Sequence, residues 1–250
     1  MLNYYHHLST QVYDIDKPIG FSFGDVEFYK SRLEGVSGRI LEPAAGTGRI
    51  LIPLSQAGFE VEGFDLSSAM LEVCRRNCEN HKINPRLFQA DMTTYSKESY
   101  YEAVIVPTGT FLLLHKRKDS LKALHQFYKS LTPGGSLLLD LSIPKDFPIG
   151  KVSTRTWKLE NGDVISLESK MTAHNVFEQY TVSHNRYERW SNGELVQTEL
   201  ERFPMRWYGV EEFKQILKST GFTEVTVSSD YEYGRSPSAS TEILTFEAIK

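Results

Sequence analysis

Cysteine is nearly absent from this 250-residue chain, which holds only Cys74 and Cys78. Such scarcity excludes a disulfide-stapled secreted scaffold. The two thiols lie four residues apart on a predicted helix, but without further Cys or a matching His they make a poor metal site, so no metal is expected. Long apolar runs are missing too, and none approaches the roughly 20 residues of a membrane span. The start of the chain lacks the basic and apolar regions of a signal peptide. A cytoplasmic protein that stays off membranes is therefore expected. Positive charge is not in excess either. The 28 Lys and Arg stand against 32 Asp and Glu, a net charge of −4, which gives no electrostatic reason to expect nucleic acid. The one short basic cluster, His115 to Lys118, runs straight into Asp119 and reads as a solvated helix start.

What remains is an ordinary globular composition, 40% hydrophobic and 24% charged. The length suits one domain carrying an insertion. From 38 to 143 apolar strands alternate with helices: strands near 38–42, 60–64, 86–89, 101–106 and 136–142. That alternation predicts a parallel sheet flanked by helices. Residues 1 to about 35 read as a helical cap broken at Asp16 to Gly20, with a helix over 25–33. Between about 150 and 207 the pattern switches to alternating segments rich in Val, Thr, Tyr and Phe. Turns at Asn161-Gly162, His174-Asn175 and Asn192-Gly193 predict a four-stranded antiparallel meander. A helix over 208–222, closed by Gly221, and strands near 223–229 and 241–249 complete the chain. The core would then comprise 1–145 and 208–250, with 146–207 as a β insertion that covers substrate or forms a dimer contact.

The run from Ile40 to Arg49, Ile-Leu-Glu-Pro-Ala-Ala-Gly-Thr-Gly-Arg, is the most informative stretch. An apolar strand ends in an acid, and a small-residue turn leads into a helix. Such a turn lets a ligand lie against backbone. Asp65 follows a second apolar run, at a distance that suits the ribose hydroxyls of a bound nucleoside. A dinucleotide turn wants G-x-G-x-x-G, but Leu51 stands at the third place. A P-loop wants a lysine after its last glycine, where this chain has Arg49-Ile50.

The string Leu41-Glu-Pro-Ala-Ala-Gly-Thr-Gly48 resembles the first motif of the class I S-adenosylmethionine-dependent methyltransferases, with Ala44 at the first glycine and Glu42 at the usual aspartate. Gly63 to Met70 is similar to the second motif, Phe88 to Met92 to the third, and Leu131 to Asp140 to the helix end, turn and fifth strand. The resemblance covers most of the chain. It implies an α/β, doubly wound, mostly parallel seven-stranded sheet with the last strand antiparallel, and S-adenosyl-L-methionine as cofactor. The cofactor-binding residues it implies are Glu42, Ala44, Ala45, Gly46 and Gly48 at the first turn and Asp65 on the ribose. Leu66 and Met70 would pack on adenine, Asp91 and Met92 would meet its edge, and Thr108 would approach the methionine part.

The reaction so implied is a direct displacement that the protein promotes mainly by alignment. A base matters only if the acceptor must shed a proton. Tyr13 and His115 are the candidates near the reacting atoms. The segment Val104 to Phe111 lacks the Pro-Pro-aromatic string of adenine and glutamine methylation and the Pro-Cys of cytosine C5 enzymes. It also holds no acid for metal-dependent transfer. The meander resembles that of small-molecule methyltransferases, so the expected partner is a small acceptor with an amine or hydroxyl, met by a monomer or homodimer. A non-catalytic S-adenosylmethionine-binding regulator and an NAD-dependent oxidoreductase remain the alternatives.

Overall fold

Four apolar strands in sequence, each followed by a helix or a loop, build the first part of the sheet. They are β1 (Ile40–Pro43), β2 (Val61–Asp65), β3 (Leu87–Gln89) and β4 (Tyr101–Val106). The computed structural model describes residues 4–250. With β5 (Leu131–Ser142), β10 (Thr223–Ser229) and β11 (Ile243–Ile249), these strands form a seven-stranded sheet of order β10-β11-β5-β4-β1-β2-β3. β1 pairs in parallel with β2 and β4, and β4 with β5, whereas β11 runs antiparallel to both β5 and β10. This is the expected doubly wound arrangement with its last strand reversed. The chain begins in the middle, runs outward through β2 and β3, then returns to place β4 on the other side of β1. Loops diverge at that switch point and leave a crevice at the carboxyl ends of the strands.

Central strands are buried on both faces, as continuous apolar runs require: Ala103 to Val106 and Leu138 to Leu139 are fully covered. Helices α3 (Leu51–Gln56), α4 (Ser68–Asn80), α5 (Arg117–Ser130) and α6 (Val210–Thr220) flank the sheet. The cap consists of α1 (His7–Asp16) and α2 (Asp25–Arg32), and the first three residues of the expected 1–35 cap lie outside the described residues. No helix among the described residues is long and apolar enough to cross a membrane.

Two local expectations are corrected. Gly134 and Gly135 do not form a free turn before the fifth strand. β5 starts at Leu131, paired with Tyr101, and the stretch before Ser136 bulges out, since Ser136 already pairs with Ala103. A Cβ on Gly135 would lie 2.9 Å from the Glu102 carbonyl oxygen, so only glycine fits the bulge. The second meander turn also falls later than His174-Asn175. Pairing continues to Asn175 opposite Tyr180, and the Asn175 side chain then accepts the Glu178 N–H at 2.9 Å to start the turn.

Otherwise the meander forms as read, from β6 (Val152–Lys158), β7 (Val164–Asn175), β8 (Tyr180–Ser191) and β9 (Glu194–Arg206) in simple antiparallel order. Asn192 and Gly193 both take positive φ, +51° and +84°, as a two-residue hairpin of this kind demands. One face of this sheet packs Trp157, Ile165 and Tyr187 against Leu8 and Val12 of α1. Leu200 on the other face is 71% exposed.

Candidate active site

The β1–α3 turn is shaped by three left-handed residues: Ala44 at φ +56°, Gly46 at +58° and Gly48 at +92°. Alanine tolerates that region at a cost of about 1–2 kcal/mol, so the turn is held by its bonds. Ala45 donates to the Phe64 carbonyl at 2.9 Å, and the Gly46 N–H reaches Asp65 Oδ2 at 3.0 Å. The other carboxylate oxygen, Oδ1, accepts the Ser67 N–H at 2.8 Å. Ser67 caps α4 by accepting the Met70 N–H, and its hydroxyl donates to the Tyr5 carbonyl at 2.7 Å. Burial, only partly offset by these amides, pushes the Asp65 carboxyl up to about 6.

These groups line a crevice of ≈ 880 Å³ at the switch point. Of the residues singled out in the sequence, Tyr13, Ala44, Gly46, Asp65, Leu66, Met70, Asp91, Met92 and Thr108 stand on its wall. Glu42, Ala45, Gly48 and His115 do not. Glu42 sits below the wall, 2% exposed, with Oε2 lacking a hydrogen-bond partner, and burial holds its carboxyl well above the usual range. Ala45 turns inward toward Gly63. Gly48 serves helix packing, because a Cβ there would meet Cys74 Sγ and Ile52 Cδ1 at 3.0 Å. His115 lies just beyond the wall residues Leu113 and Leu114, its ring edge-on to Tyr180 at 5.5 Å. Burial and the neighbouring Arg202, Lys116 and Arg206 charges hold its imidazole below its ordinary pKa.

Thr108 ends β4 in the left-handed region, φ +55°, and its N–H donates to Asp140 Oδ2 at 2.8 Å. The same oxygen accepts the Tyr231 hydroxyl at 3.0 Å, while Oδ1 accepts from Thr245. Burial raises this carboxyl to about 6 as well. Beneath Tyr13, Arg49 pairs with Asp25, both almost fully covered, with Nη1 to Oδ1 at 3.0 Å. Burial opposes the Asp25 charge, but the guanidinium overrides it and holds that carboxyl below the usual range.

Sequence reading missed the other walls. Tyr4, Tyr5, Lys17, Phe203 and Met205 also line the crevice. Tyr5 donates its N–H to Glu201 at 2.7 Å, and the Tyr4 and Tyr5 rings meet Phe203 edge-on at 5.5 and 5.9 Å. The N-terminal segment and the meander thus close over the turn together. Their meeting joins residues almost 200 positions apart, and no local pattern announces it.

An adenosine with a zwitterionic tail fits this donor set. A buried carboxylate tied only to backbone amides faces the crevice, ready to accept hydroxyl protons. The left-handed turn keeps Gly46 without a side chain, and the Glu42 oxygen beneath has no partner. Fold and crevice together define a class I S-adenosylmethionine-dependent methyltransferase. The comparisons agree, since residues 40–135 match the family described as a methyltransferase domain. YqeM of Bacillus subtilis (strain 168), provisionally named a methyltransferase, is 31% identical over 215 residues, covering 85% of this chain and 84% of that protein. Among solved structures, the sugar N-methyltransferase KedS8 from Streptoalloteichus sp ATCC 53650 superimposes with a TM-score of 0.75 at 20% identity, over 100% of this chain and 97% of its own. CalS10 from Micromonospora echinaspora, an amino pentose methyltransferase solved with its donor bound, gives 0.71 at 22% identity, over 100% and 99%. The chain belongs to the S-adenosylmethionine-dependent methyltransferases. It is an enzyme, and S-adenosylmethionine is its cofactor.

Proposed function

We propose that this enzyme methylates an amine or hydroxyl of a small molecule by direct displacement. Asp65 would accept the two ribose hydroxyls, and Leu66 and Met70 would pack on the adenine. Asp91 and the Met92 amide would face the ring's polar edge. Ala44 and Gly46 would let the rest of the donor lie along backbone, toward Thr108. The bound donor supplies a methyl group already activated by a positive sulfur. The chain's own contribution is to align and to exclude water, effects that reach roughly 7–11 kcal/mol at best.

The observation that carries the small-acceptor reading is the cover. Tyr4, Tyr5 and Phe203 form an aromatic wall over the crevice, bonded to the meander through Glu201. A crevice walled in this way suits a compact acceptor better than a polymer strand. The likeness to amino pentose and sugar N-methyltransferases supports the same size class and favours an amine. Tyr13 is the side chain proposed at the transfer end. His115, off the wall and with its ring against Tyr180, is proposed to support β9 rather than to take a proton.

Turnover with a methyl-labelled donor against amino sugars, amino acids and phenols tests this, with label expected on one of these acceptors. Label found only on protein or nucleic acid would overturn it. Calorimetry tests the ribose assignment: Asp65→Ala should weaken S-adenosylhomocysteine binding by roughly 1–3 kcal/mol. Unchanged affinity would remove Asp65 from the site.

A further inference from the structure

Lys17 is a cation without a counter-ion at the junction of two cavities. It follows α1 as its C-cap, with its backbone bonded to the Tyr13 carbonyl and its Nζ 4.6 Å above the Tyr13 ring. The carboxylates whose charges reach it are both engaged elsewhere, Asp25 by Arg49 and Asp16 by Arg155. No other carboxylate among the described residues pairs with it. Burial, together with the Arg49 charge, holds its ammonium below the ordinary lysine range. A covered ammonium without a partner is costly, and an incoming anion would relieve that cost.

Position decides where such an anion would sit. Lys17 and Thr108 line the donor crevice and also a second cavity of ≈ 900 Å³, bounded by Phe23, Asp230, Tyr231, Glu242 and Ile243. Asp65 ends β2, whereas Thr108 follows β4, two strands away across β1. At about 4.8 Å per strand the separation is roughly 10 Å. A nucleoside anchored by its ribose at Asp65 therefore points its 5′ substituent toward Lys17.

We propose that Lys17 binds a carboxylate at the shared edge of the two cavities. The carboxylate belongs either to the amino-acid end of the donor or to an acceptor lodged in the second cavity. This rests on the donor reading above, and the experiment separates the two. Wild type, Lys17→Met and Lys17→Arg are titrated calorimetrically with S-adenosylhomocysteine and with 5′-methylthioadenosine, which lacks the amino-acid end. Glycine and acetate are then titrated into each protein loaded with 5′-methylthioadenosine and, separately, with S-adenosylhomocysteine.

For a donor carboxylate, Lys17→Met loses at least tenfold in affinity for S-adenosylhomocysteine. It keeps that for 5′-methylthioadenosine within twofold, and Lys17→Arg recovers most of the loss. For an acceptor carboxylate, both nucleosides bind as in wild type, and glycine or acetate is taken up by loaded wild type but not by loaded Lys17→Met. Equal loss for both nucleosides would mean a structural role and overturn the proposal. So would no change in any titration. A wild-type protein that binds neither nucleoside overturns the donor reading and this proposal with it.

Discussion

The two sheets bury their strands in opposite styles. The seven-stranded sheet is covered on both faces, and Ile105, Leu138 and Leu139 have no exposed surface at all. The meander covers one face, through Trp157, Ile165 and Tyr187, and leaves Val196, Leu200 and Trp190 in solvent. Core strands therefore fix the carboxyl-end loops that carry Ala44, Asp65 and Thr108. The meander adds only Phe203 and Met205 to the crevice, from its last strand. Donor recognition rests on the stiffer sheet, and closure over the crevice rests on the more lightly packed one.

Truncation should separate the sheets most. Leu139→Ala removes a fully buried side chain from the centre of the core and should cost about 2–5 kcal/mol in urea unfolding. A loss below 1 kcal/mol would mean that the core is less tightly filled than its burial indicates. The next effect is in pH, and it belongs to the core alone. Asp65 has its folded carboxyl raised to about 6 against 3.8 unfolded, so the folded state holds the proton more tightly. Stability of the free protein should fall as pH rises from about 4 to about 6, by at most about 3 kcal/mol from this group. Donor binding, which needs the ionised carboxylate, should strengthen over the same interval. Asp65→Asn should flatten both trends, as urea unfolding and calorimetry across pH would record. Smallest of all is Leu200→Thr on the open face of the meander, expected within about 0.5 kcal/mol of wild type by thermal melting. A cost above 1 kcal/mol would show that this face is covered in solution.

The same contrast explains what the sequence made legible. Strand alternation, the Asn192-Gly193 hairpin and the spacing from Gly48 to Asp65 are local signals, and the fold follows them. Gly48 was legible as an obligatory glycine but not for its reason, because Cys74 comes to it from another helix. The bulge before Ser136 was hidden for a like cause: it depends on where Glu102 of the neighbouring strand lies. Tyr4, Tyr5, Lys17 and Phe203 carry no motif. Each becomes part of the crevice only when the cap and the meander meet over it.

That meeting has a temporal side. Backbone amides of Tyr5 and Leu8 are held by Glu201 and Glu199, across 196 and 191 positions of chain. During translation, residues as far as Asp65 emerge from the ribosome long before these glutamates do. A nascent chain can begin assembling its ribose-facing acid early, yet full enclosure must wait until synthesis has passed Met205.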